Sequence, residues 1–215
     1  MLNLRLERIS LDRLPGMNRL YLDLCARPEM RGRLLGDPGW DLAALRERAG
    51  LVDRPVRAFS DLVRLNAGLG PECDASLEQL RRRGAVCVVT GQQAGLLGGP
   101  AYTLLKALTV VSLVRALRAE GIPSAGIFWV ASEDHDAAEV CETALFAPGA
   151  GLRRLRVDAG GEVPWPVARR RFGADIETVI EQAASILPAG THAETVLGWV
   201  RECYRPGAGW AASFR

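Results

Sequence analysis

The 215-residue chain reads as an α/β protein built on a parallel sheet, and three stretches carry that reading. Residues 86–89 are short, apolar and largely β-branched, as suits a strand buried on both faces. Residues 103–120 have a helical pattern, apolar on most sides, with polar positions at Lys106, Thr109, Ser112 and Arg115. Residues 127–131 form a second apolar strand. Strand, helix and strand in that order make a βαβ unit, which is almost always parallel and right-handed.

Ahead of the unit, residues 1–24 begin with a short alternating segment and pass through Pro15-Gly16 into a loop. Residues 27–38 are polar and broken by Gly and Pro, which places them on the surface. A short helix is expected over 41–49, with Asp41 near its cap and Gly50 at its exit. A better one is expected over 53–66, where Val56, Phe59, Leu62 and Val63 fall at helical spacing. A third, over 75–83, is closed by Gly84 and delivers the chain to the first strand.

Inside the unit, residues 90–99 hold glycines at 91, 95, 98 and 99 around a Gln92-Gln93 pair. Pro100 follows, a residue favoured in the first turn of a helix. Gly121 and Pro123 stop the helix. The second strand runs into Ser132-Glu133-Asp134-His135-Asp136.

After Asp136 the pattern weakens. Residues 147–166 are rich in Gly, Pro and Arg, with strand pieces around Leu152, Leu155 and Val157. Arg169-Arg170-Arg171 reads as a solvated turn ahead of a phosphate grip. Residues 174–187 form an amphipathic helix with Ile176, Val179, Ile180 and Ala183 on one face. Thr191 and Glu194 have capping-box spacing for a further helix, with Val196, Leu197 and Val200 inward and His192 on the surface.

Composition narrows the class. Hydrophobic content of 48% with 24% charged is ordinary for a globular protein, and a net charge of +2 argues against a dedicated nucleic-acid binder. The amino terminus lacks the continuous apolar core of a signal peptide, and no apolar run is long enough to span a bilayer. Five scattered cysteines without a C-x-x-C pair fit reduced thiols, so the cytoplasm is the expected compartment. Lys106 is the only lysine among 27 basic residues. Codon bias toward arginine explains the other 26, and the surviving lysine marks a position that needs a compact ammonium.

The loops after both strands leave the carboxyl edge of the sheet, where open α/β sheets bind ligands. The first offers backbone N–H groups and a helix N-terminus suited to an anion. It is neither a P-loop nor a clean G-x-G-x-x-G fingerprint. Gln92 and Gln93 each carry donors and acceptors that can orient a carboxylate, an amide or a sugar hydroxyl. The second loop brings Glu133, Asp134, His135 and Asp136 together. Neighbouring residues on an extended segment face opposite ways, so only two of the four share a site easily, and no protein-held metal is expected. Asp134 or Asp136 has the alternative of simply bracing the loop through backbone contacts. His135, flanked by carboxylates, favours its protonated form and so can act as a general acid or a cationic clamp.

The motifs Thr90-Gly91-Gln92-Gln93-Ala94-Gly95, Gly99-Pro100, Tyr102-Thr103, Lys106 and Trp129 with Ser132-Glu133-Asp134-His135-Asp136 resemble those of the cysteine-adding enzyme family of bacillithiol biosynthesis, the BshC cysteine ligases. Weaker echoes lie at residues 14–20 and 203–207. The resemblance implies a Rossmann-like core, incomplete in this chain, with a helical amino-terminal prelude and inserted helical segments. It divides the chain into a prelude (1–85), the βαβ core with the ligand site (86–146), and a connecting insert with helices (147–215). Family members continue further, through the rest of the core and a coiled coil that mediates dimerisation, so this chain is expected to be an amino-terminal portion.

The implied activity joins cysteine to glucosaminyl-malate in the last step of bacillithiol synthesis, through an activated cysteine carboxyl. The implied catalytic residues are Lys106, His135, Asp134 and Asp136. Thr90, Gly91, Gln92, Gln93, Gly95, Tyr102, Ser132 and Glu133 would bind substrate or nucleotide. The energy source does not follow from the residues; ATP with Mg2+ is the candidate, by likeness of the family's core to nucleotidyltransferases. Two alternatives stand beside this reading: another nucleotide-dependent ligase or nucleotidyltransferase-like enzyme, and an inactive truncated fragment.

Overall fold

A computed structural model describes residues 7–35, 41–52, 57, 59–66, 68–147, 149, 151–159 and 165–215. The βαβ unit is present, with strands longer than their apolar runs. β1 spans Val86–Gln92 and β2 spans Ser124–Val130. They pair in parallel, from Val86 opposite Ser124 to Gln92 opposite Val130. The ladder thus takes in Thr90, Gly91 and Gln92, which the sequence places in the turn. A parallel pair reads backbone spacing and tolerates a glycine where a neighbour comes close: a Cβ on Gly91 would lie 2.7 Å from the Trp129 carbonyl.

Helix α6, Ala101–Ala119, links the two strands. It lies against the sheet at Gly126, where a Cβ would come within 2.6 Å of Val110 Cγ1. Neighbouring Ala125 points to the opposite face and packs with Leu80 and Ala85, bringing helix α5 (Pro71–Leu80) onto that side. Helices therefore flank both faces of the two-stranded sheet. Among the described residues no third strand joins it, so the Rossmann-like sheet is incomplete.

The prelude is more helical than expected. α1 (Arg19–Ala26) and α2 (Pro28–Leu35) occupy stretches that read as loop and broken surface. The Asn18 side chain starts α1 by accepting from Leu20 N at 2.8 Å, and Pro28 sits at the start of α2, where a missing N–H costs nothing. α3 (Leu42–Gly50) has the expected cap, Asp41 accepting from Ala44 N at 2.9 Å. α4 runs Phe59–Asn66, and the earlier part of the helix expected there, residues 53–56, lies outside the described residues. α5 starts at Pro71, four residues before the expected start at 75.

Beyond β2 come a one-turn helix α7 (Ala137–Val140) and an antiparallel hairpin of β3 (Glu142–Ala147) and β4 (Gly151–Arg156). Of these only the β4 region was legible as strand pieces. α8 (Asp175–Ile186) buries Ile176, Val179, Ile180 and Ala183, the face expected from its period. α9 (Thr191–Cys203) corrects the capping box: Gly190 is the cap residue, Thr191 lies inside the helix, and no side chain caps it. Val196, expected inward, is exposed, while His192 is on the surface as expected. α10 (Trp210–Phe214) closes the described chain and drives Trp210 into the main core with Leu96, Phe172 and Ile176.

The triple arginine is a solvated turn only in part, with Arg169 and Arg171 exposed. Arg170 is buried and donates from Nε to Trp165 O at 3.2 Å and from Nη1 to Ala159 O. Arg171 donates to Gly207 O at 2.8 Å, and the Arg169 guanidinium lies 5.2 Å above the Trp165 ring. A guanidinium is rigid and multiply donating, so it satisfies several carbonyls at once and braces the loop.

Candidate functional site

The two carboxyl-edge loops meet. Gln93 Nε2 donates to Asp134 Oδ2 at 2.5 Å, a bond across 41 residues of sequence. Asp134 is also held locally, its other oxygen accepting from Asp136 N at 3.0 Å. That backbone bond, then the Gln93 amide, holds the Asp134 carboxyl below its usual range. An ionised carboxylate only accepts, so Asp134 fixes the Gln93 amide with its NH2 turned inward. The Gln93 oxygen is left buried and without a hydrogen-bond partner.

The second loop is strapped down from behind. Ala168 N donates to Ser132 O at 2.8 Å and Val167 N to Asp134 O at 2.9 Å. Asp136 caps α7, accepting from Glu139 N at 3.1 Å. Asp134 and Asp136 therefore do brace the loop through backbone contacts, the alternative kept open for both. Glu133 and His135 are exposed. Asp136 is exposed as well, so the loop does not alternate cleanly, and of the charged four Asp134 is the one hydrogen-bonded to the glycine turn.

The glycine turn is compact. A Cβ on Gly95 would sit 2.7 Å from Gly99 Cα, so the two ends of the turn cross where only glycine fits. Leu97 has φ 51° and ψ 37°, a left-handed conformation costing a leucine roughly 1–2 kcal/mol. Leu96, 1% exposed, anchors the turn in the main core. Tyr204, 106 residues further on, accepts a hydrogen bond from Gly98 N at 3.1 Å. Burial pushes its phenol up to about 12, so the hydroxyl stays neutral.

Lys106, one turn into α6, reaches back to the end of β1. Its Nζ donates to Gln92 Oε1 at 2.8 Å and to Gly91 O at 3.2 Å, and stands 5.0 Å above the Tyr102 ring. Gln92 Nε2 is 3.4 Å from the Tyr102 hydroxyl. Lysine, glutamine and tyrosine thus form one polar cluster on the turn. Thr90 lies within β1, opposite Phe128, one residue before it.

A cleft of about 340 Å³ opens between this turn and α7–β3. Gln92, Gln93, Gly95 and Tyr102 line one side, with Pro100 and Ala101 at the N-terminus of α6; Glu139, Glu142 and Thr143 line the other. Lys106, His135, Ser132 and Glu133 are not among its lining residues. Glu142, which also pairs with Arg154, and Thr143 carried no signal as site residues, because the strand they begin was not legible. Glu139 stands three residues after Asp136 in the sequence, and Tyr204 belongs to the weak echo at 203–207.

Comparison with known proteins agrees with this architecture. Residues 50–215 match the family described as bacillithiol biosynthesis BshC, N-terminal Rossmann-like domain. A Koribacter versatilis protein named "Putative cysteine ligase BshC" is 38% identical over 172 residues, covering 80% of this chain and 31% of the relative. Proteins of the same name from Solibacter usitatus and Chlorobaculum tepidum are 33% and 32% identical, covering 94% and 93% of this chain and 37% and 38% of the relatives. The chain spans about a third of the length of the curated relatives it matches.

Proposed function

The chain belongs to the BshC family of bacillithiol biosynthesis, and from that premise we propose that it supplies the amino-acid-binding part of a ligase joining cysteine to glucosaminyl-malate. The observation that carries the reading is the Gln93–Asp134 bond, which ties the glycine turn to the second loop beside the cleft. The cleft has two kinds of wall. The first amides of α6, at Ala101 and Tyr102, lack intrahelical acceptors and suit a carboxylate. Glu139 and Glu142 on the opposite wall suit an ammonium group. An α-amino acid carries both charges a few ångströms apart, and the cleft is of a size to hold one.

A triphosphate without its metal does not fit this cleft. Its lining residues include two carboxylates and no basic side chain, so a triphosphate would meet repulsion there. In the proposed reaction the sugar amine attacks the carboxyl carbon of cysteine activated as a phosphate anhydride; the C–N bond forms, the C–O bond to the phosphate breaks, and the amine gives up a proton. Lys106 acts through Gln92, fixing its amide on the turn. Asp134 acts through Gln93 in the same way. His135, exposed and next to Asp134 in the chain, is assigned the general-acid role toward the leaving group. The complete activity, its compartment in the cytoplasm and a dimeric assembly are part of the same proposal.

The test uses a full-length family protein carrying this segment. Incubated with cysteine, glucosaminyl-malate and ATP with Mg2+, it should yield the amide product by mass spectrometry. Gln93→Ala should raise KM for cysteine at least about tenfold, because it unties the glycine turn from Asp134 beside the cleft. Product formation from other amines but not from glucosaminyl-malate would overturn the reading.

A further inference from the structure

We infer that Tyr204 is a positioning residue for the ligand cleft, acting through its hydroxyl on the glycine turn. The turn holds three consecutive residues with positive φ: Leu97 at 51°, Gly98 at 90° and Gly99 at 72°. Leu97 is the only non-glycine residue with positive φ among the described residues. Glycine adopts such angles freely; leucine does so only when its surroundings hold it there. Leu96 and Leu97 anchor one side of the turn in the main core. On the other side Gly98 N donates to Tyr204 Oη at 3.1 Å and to Gly95 O at 3.2 Å.

The hydroxyl is itself rigidly placed. Tyr204 is 6% exposed, its ring lies 5.5 Å from that of Phe172, and its backbone N–H ends α9 by donating to Val200 O at 2.8 Å. Phe172 in turn stacks on Trp210 at 5.3 Å and bonds backbone to backbone with Ala208. The path to the cleft is short. Gly98 is followed by Gly99, which crosses Gly95 at van der Waals contact, and Gly95 and Pro100 line the cleft. Without the hydroxyl, Leu97 can relax toward ordinary angles, and the Gly95–Gly99 crossing shifts with it.

The test removes one oxygen. Tyr204→Phe in this chain should speed amide hydrogen exchange at Gly98 at least about tenfold, while the amides of α8 stay within about twofold of wild type. Unchanged exchange at Gly98 would overturn the inference, as would an equal acceleration through α8, which would mark the tyrosine as general packing. The wild-type chain gives an independent check: a Gly98 amide exchanging at the rate of an unstructured peptide would overturn it whatever the variant does. In a full-length family protein Tyr204→Phe should raise KM for cysteine about fivefold or more with kcat within about twofold. That last arm rests on the ligase reading. A wild-type protein inactive with cysteine would sink that reading and leave the exchange result standing.

Discussion

Asp134 and Lys106 do their work through the amides of the glutamine pair. The Asp134 carboxyl is held below its usual range, so the stability it contributes is present above the ordinary carboxylate pKa and lost as pH falls through the lowered value. The Gln93 side-chain NH2 resonances should therefore stay constant through neutral pH and shift only at acid pH, below the range of an exposed aspartate. A shift centred at or above that range would show that the bond to Gln93 is not made. Lys106 has two acceptors and a ring around one compact ammonium. Arginine is larger, planar and differently hydrated, and does not reproduce both bonds. In a full-length family protein Lys106→Arg should fold normally and lose about tenfold or more in turnover, equivalent to ~1.4 kcal/mol. Lys106→Met should lose more at an unchanged thermal midpoint. Wild-type rates in both would reduce the lone lysine to codon usage.

At the scale of elements, the glycines show which contacts set the site. Gly95 has ordinary angles, φ −67° and ψ 148°, so backbone strain is no objection to a side chain there. Space is the objection, because the nearest atom is the backbone of Gly99 and cannot swing aside. Gly126 faces Val110 Cγ1, a side-chain atom, which yields through a small shift of its helix more readily than main chain does. Gly95→Ala should therefore cost about 1–3 kcal/mol, an overpacking penalty, and Gly126→Ala less. Urea unfolding of both variants checks the order. Equal costs would mean that the turn gives as easily as the helix packing.

The whole molecule carries apolar surface that its own described elements do not cover. On α6, Leu104, Leu105 and Leu108 are 64%, 62% and 51% exposed. On the sheet, Val89 and Trp129 are each 59% exposed. Parallel pairing places these two on one face with Ala125, which α5 covers only at its amino-terminal end. Both strands have a free edge among the described residues as well. Patches of this kind promote association. The chain should self-associate with rising concentration in sedimentation velocity runs, and Leu104→Gln with Leu108→Gln should reduce this without lowering the thermal midpoint. A chain that stays monomeric at the highest concentrations tested would show these faces to be harmless.

The βαβ unit, its helix and the identity of both loops were legible in the residues because each rests on local pattern: apolar runs, helical period, glycine and proline as stops. Asp41 as a cap and the buried face of α8 were legible for the same reason. The helix α2 was not, since its period is weak and Pro28 and Gly32 interrupt it, and α1, only eight residues long and following Pro15-Gly16, was read as loop. Nor was the β3 strand, in which Glu142 opens a stretch with no clean alternation. What tertiary structure alone decided is which polar groups meet. That Gln93 bonds Asp134, that Lys106 turns back onto Gln92 and that Tyr204 reaches Gly98 follow from strand register and helix packing. Separations of 41 and 106 residues leave no local trace, because the free energy fixing those contacts is spread over the core that brings them together.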